Sequence, residues 1–188
     1  ACFAGYVVQA IVNNFVPLLF LTFNKSYGIE LSKITALITV NFILQLCIDF
    51  LSAFFIDKIG YRAAAVAAHV FAAAGLVSLT VLPEILPSPF VGLLISVVLY
   101  AVGGGLLEVI VSPIVEACPT DNKEKMMSLL HSFYCWGSVA AVGISTLFFA
   151  LFSTDNWKIM SLIWAILPIV NAVMSVSYTH LTLPTIRL

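Results

Sequence analysis

Residues 31–62 read LSKITALITVNFILQLCIDFLSAFFIDKIGYR. Residues 31–56 are apolar enough and numerous enough to cross a bilayer as a helix, which takes about 20 largely apolar residues. The polar residues inside the run are not scattered: Asn41, Gln45, Asp49 and, past Ala53, Asp57 recur at every fourth position. Side chains four apart lie on one face of a helix, so this span carries a single polar stripe. Charge and glycine at Asp57, Lys58 and Gly60 end it, and a new apolar run starts at Tyr61.

The same grammar extends over the chain. Apolar runs at residues 1–23, 31–56, 61–82, 90–117, 127–152 and 157–176 predict six spanning helices. Between them lie loops marked by Asn24 and Gly28, by Asp57 and Gly60, by Pro83, Pro87 and Pro89, by the charged residues 119–125, and by a short turn before Trp157. The composition agrees: 62% hydrophobic and only 9% charged over 188 residues, with a mean hydropathy of +1.11. A soluble domain carries roughly 25% charged residues, so the partner of this surface is a lipid bilayer. A net charge of -1 offers no basic patch for nucleic acid. The four cysteines have neither disulfide-framework nor metal-ligand spacing, so no metal and no cofactor is expected.

Lysine and arginine near the helix ends set orientation. Lys58, Arg62, Lys123 and Lys125 place the second and fourth loops, with the N-terminus, in the cytoplasm. Ala1 already sits in an apolar run, which is expected of a fragment that starts inside its first helix. Residues 177–188, SYTHLTLPTIRL, break the pattern and are expected to be a non-native or disordered tail.

Polar stripes recur in other spans. Tyr100, Gly104, Glu108, Ser112 and Glu116 are spaced by four in the fourth, and Gln9, Asn13 and Pro17 in the first, beside Asn14. The third and sixth spans have little beyond His69 and Asn171. With the fifth span, where Tyr134, Cys135 and Ser138 share the face of His131, four helices turn a polar face toward a shared interior or partner, and two sit outside. Asn, Gln and Ser in such stripes often do no more than bond to a neighbouring helix, for about 0.6 kcal/mol. A charge at a helix centre costs at least about 2.5–3.5 kcal/mol, so Glu108 and Asp49 need a stronger reason to be there. An intramembrane carboxyl that alternates between protonated and ionised forms supplies one for Glu108; for Asp49 a protonated side chain pinning two helices is the competing reading. Gly103, Gly104 and Gly105 suit close helix packing better than ligand approach, and Pro113 permits a bend beyond Glu108. A lone His69 reads as a packing or hydrogen-bonding residue. Trp157 reads as an interfacial anchor, and Trp136 as either a stacking surface for a ligand or part of the core.

Residues 53–62, AFFIDKIGYR, resemble the loop signature between helices two and three of the major facilitator superfamily, G-x-x-x-D-[RK]-x-G-[RKY]-[RK]. Asp57, Lys58, Gly60, Tyr61 and Arg62 fit, while Ala53 replaces the first glycine. The resemblance implies an all-α membrane protein: a six-transmembrane-helix bundle that is the N-terminal half of a twelve-helix transporter, lacking its C-terminal six-helix half. It also implies that Asp57, Lys58, Gly60 and Arg62 form a conformational-switch loop. Residues 103–119 together with 128–137, SLLHSFYCWG, are similar to fucose-permease-type sugar:proton symporters. That likeness implies proton coupling at Glu108 and substrate contacts at Asn13, Asn14, His131 and Tyr134. Two departures stand out. Ser112 replaces the Asn before Pro113, and Pro17 stands where that group has a second acidic residue, leaving proton handling to Glu108 alone or shared with Asp49.

The expected function is proton-coupled uptake of a small polar solute such as a sugar by alternating access, in the plasma membrane. A drug or metabolite:proton antiporter of the same fold is the rival. Such antiporters carry G-P-x-x-G-G in helix five and an Arg in helix four; residues 137–143 read GSVAAVG without proline, and the fourth span has no Arg. A non-transporting six-helix module is a further alternative. An intramembrane enzyme is disfavoured by the absence of HExxH, GxSxG or paired catalytic aspartates.

Overall fold

The computed structural model describes residues 1–178. Its elements are α1 (Cys2–Asn14), a 3-10 turn (Val16–Leu19), α2 (Phe20–Tyr27), α3 (Leu31–Ile59), α4 (Tyr61–Ile85), α5 (Pro89–Ala117), α6 (Lys123–Phe152), a short 3-10 turn (Thr154–Asn156) and α7 (Trp157–Tyr178). Helix α1, the turn and α2 make one span, Cys2–Tyr27, and with α3 to α7 they give six spans among the described residues. The stretch expected to be a tail begins within α7, which takes in Ser177 and Tyr178; from residue 179 onward it lies outside the described residues.

The first span is not the continuous helix its apolar run suggests. Pro17 has no N–H to offer the Asn13 carbonyl, and its ring crowds the preceding turn. The helix gives way to the 3-10 turn there and resumes at Phe20. Other helices outrun their apolar segments. Helix α3 continues through Asp57 and Lys58 to Ile59, and α6 starts at Lys123, where the Asn122 side chain accepts from the Lys125 N–H at 2.9 Å. Apolarity marks what hydrocarbon covers; caps and glycines mark where the helical bonds stop. At the α3–α4 junction Gly60 takes φ 86°, a left-handed value that side-chain-bearing residues adopt only with strain.

Helix α5 is the hub, packing against α1, α3 and α4, while α1 packs on α6 and α4 on α7. Close approach depends on bare backbone. A Cβ on Gly103 would lie 2.6 Å from the Ala68 carbonyl oxygen and the Ala72 nitrogen, both backbone atoms of α4. On the other side, Cβ atoms on Gly104 and Gly105 would press on Gln45 and Ile48 of α3. The three-glycine run thus serves helix packing on two faces.

Helices α4 and α7 stand behind the hub. Two of their buried polar residues bond to each other: His69 Nδ1 donates to the Ala65 carbonyl at 2.6 Å, and its Nε2 accepts from Asn171 Nδ2 at 2.6 Å, while Asn171 Oδ1 is buried without a bonding partner among the described residues. A carbonyl only accepts and an amide nitrogen only donates, so His69 is the neutral tautomer with its proton on Nδ1. Both tryptophan expectations need correction. Trp157 is 2% exposed and meets Phe23 edge-on at 5.2 Å, filling the core where the first and last spans meet. Trp136 is 72% exposed, neither in the core nor among the residues lining the cleft.

Candidate functional site

The polar stripes of α1, α3, α5 and α6 converge on one cleft of about 410 Å³, within the 300–1,000 Å³ range of small-molecule sites. Tyr6, Gln9 and Asn13 line it from α1, and Phe42, Gln45, Leu46 and Asp49 from α3. Glu108 enters from α5, and His131 and Tyr134 from α6. Helices α4 and α7 contribute nothing to it.

A hydrogen-bonded chain crosses three of the helices. Gln45 Nε2 donates to Asn13 Oδ1 at 2.7 Å and to Asn41 Oδ1 at 3.0 Å; Asn41 Nδ2 donates to the same Asn13 oxygen at 3.3 Å. Asn13 Nδ2 then donates to the Tyr134 hydroxyl at 3.4 Å. The wall from α3 through α1 to α6 is therefore preset before any ligand arrives. A second set joins α1 to α5. Gln9 Nε2 donates to Glu108 Oε2 at 3.1 Å, and Tyr6 and Ser112 share a hydroxyl bond of 2.8 Å. The rings of Tyr6, His131 and Tyr134 cluster, with centroids 5.7 and 6.1 Å apart across Tyr6. Asp49 is the electrostatic neighbour of Glu108. One of its oxygens is shut off from solvent with no bonding partner in the protein, an unusual condition for a carboxylate.

Of the residues singled out in the sequence, Asn13, Asp49, Glu108, His131 and Tyr134 meet in this cleft. Asn14 does not. It donates to the Ala10 carbonyl at 2.8 Å and to Ser138 Oγ at 3.2 Å, which ties α1 to α6. Tyr6, Gln9 and Gln45 belong to the site although only stripe membership marked the two glutamines. Tyr6 had a signal too, one helical turn before Gln9 on the same face. The loop residues lie elsewhere. Asp57 and Lys58 are exposed at the end of α3, and Arg62 reaches from α4 to donate to the Val176 carbonyl at 2.6 Å.

Among curated proteins no sequence matches the chain. Among solved structures the fold is similar to the inward-open conformation of the xylose transporter XylE from E. coli, with a TM-score of 0.81 at 13% sequence identity. The similarity covers 93% of this chain and 46% of that one, so the chain spans about half the length of that transporter. The sequence model of the Major Facilitator Superfamily matches residues 1–187. Six apolar helices around a polar cleft, a loop signature between the second and third spans, and a family match over nearly its whole length establish that this chain belongs to the major facilitator superfamily.

Proposed function

We propose that the chain is the N-terminal half of a secondary transporter that couples uptake of a small polar solute, such as a sugar, to proton entry by alternating access. The observation that carries this is the cleft itself: four helices bring two carboxylates, a preset amide chain and three aromatic rings to one cavity. In this account Asn13, Gln45, His131 and Tyr134 contact the solute, and Glu108 takes the proton, held toward the cavity by the Gln9 amide. Asp49 shares the proton or pins α3. The second and fourth loops face the cytoplasm, the membrane is the plasma membrane, and a C-terminal six-helix half completes the wall. Asp57, Lys58, Gly60 and Arg62 act at the cytoplasmic end as α3 moves.

The test uses the complete gene product in sealed vesicles enclosing a pH dye. External sugars from a panel of neutral pentoses and hexoses should acidify the interior. If no solute of the panel moves protons or exchanges across the membrane with folded protein present, the transport reading is wrong.

A further inference from the structure

The donors and charges lining the cleft go further than a generic polar site. No lysine or arginine lines it; those of the described residues lie in loops or in the terminal turns of helices. Its acidic side chains are Asp49 and Glu108, and His131 is its one basic side chain. The amide hydrogens are mostly committed within the protein. Gln45 directs its Nε2 at Asn13 and Asn41, Gln9 directs its own at Glu108, and Asn13 directs its own at Tyr134. An amide has two hydrogens and one carbonyl oxygen, and a carboxylate only accepts. Among the acceptors left uncommitted is the second oxygen of Glu108, with Asp49 as its neighbour, and no lysine or arginine lines the cleft to offset them.

We propose that this wall binds its solute through the solute's own O–H or N–H donors and discriminates against anions, so that neutral polyols and amines are accepted and carboxylated or phosphorylated analogues are rejected. The proposal rests on the transport reading for its biological use, and its electrostatic claim concerns the part of the wall that these helices supply. Like charges brought together in a confined site oppose binding strongly, and discrimination of at least about tenfold, or about 1.4 kcal/mol, is expected.

The experiment measures the field of the cleft with two thiol reagents of similar size and opposite charge. In the complete gene product, Cys2, Cys47, Cys118 and Cys135 are replaced by alanine and Leu46→Cys places a thiol on the cleft wall. Rates with cationic trimethylammonioethyl and anionic sulfonatoethyl methanethiosulfonate are compared with the rates of the same reagents on a small free thiol. Taking this ratio removes any effect of thiol ionisation. The cationic reagent should be favoured by at least about tenfold. Asp49→Asn and Glu108→Gln should each reduce the preference, and the two together should abolish it. A ratio at or below the free-thiol value, or a preference that survives both substitutions, overturns the proposal. Protection of the thiol distinguishes the donor types: methyl glucoside protecting best assigns hydroxyl donors, and methylamine protecting best assigns ammonium N–H donors. Better protection by glucuronate than by methyl glucoside overturns the proposal. A protein that shows the charge preference but moves no solute refutes the transport reading instead.

Discussion

Gly103→Ala adds one methyl group at a tight helix crossing of the hub. The new carbon would sit 2.6 Å from a carbonyl oxygen and a nitrogen of α4, whereas ordinary contact begins at 3.4 Å. Both neighbours are backbone, so no side chain can swing away, and α4 and α5 must separate by the better part of an ångström. Overpacking of this kind costs about 1–3 kcal/mol, and a rigid backbone neighbour puts it near the upper end. Alanine recovers about 1 kcal/mol of helix propensity, leaving a net loss of about 2 kcal/mol. For a chain of this size that lowers Tm by roughly 4–8 °C. Gly143→Ala is the internal control, because a Cβ there meets nothing within 4 Å. It should gain up to about 1 kcal/mol from propensity alone. Thermal unfolding in detergent micelles, followed by tryptophan fluorescence, compares the two. If Gly103→Ala is as stable as Gly143→Ala, the glycine run does not serve close packing of α4 on α5, and ligand approach becomes the better account of it.

Gln45→Leu removes both donations that fix the Asn13 and Asn41 amides and should lower stability by only about 1–2 kcal/mol, while solute affinity falls at least tenfold by a binding titration; unchanged affinity would remove Gln45 from the site. Gly60→Ala forces a side-chain-bearing residue to φ 86° and should cost about 1–2 kcal/mol, read as a lower Tm. His69→Leu breaks the link between α4 and α7 and should destabilise the protein, yet leave the ratio of protons to solute unchanged; an altered ratio would place His69 in the proton path.

The spans and the helices that turn inward could be read from the chain because hydrocarbon imposes two strong rules. Apolar runs must be long, and polar residues must share a face. The stripe through Asn41, Gln45 and Asp49 pointed at the cleft for that reason. Finer details depend on tertiary contacts that spacing does not encode. Asn13 and Asn14 are adjacent and chemically identical, but they project about 100° apart on the helix, and only one faces the cavity. Trp157 looked like an interfacial anchor from its place at a helix start. Its burial comes from Phe23, a partner 134 positions earlier in the chain. The break in the first span was carried by Pro17, a signal masked by the apolar residues around it.

The central claim is that Glu108 carries the proton that drives accumulation. Its test compares two modes of transport by Glu108→Gln in the complete gene product, reconstituted in vesicles. Glutamine keeps the shape and can still bond with Gln9, but it cannot release a proton. Exchange of labelled for unlabelled solute at equal concentrations should persist, while accumulation driven by an imposed proton gradient should vanish. Accumulation against a solute gradient by Glu108→Gln would contradict the account and move the proton site to Asp49.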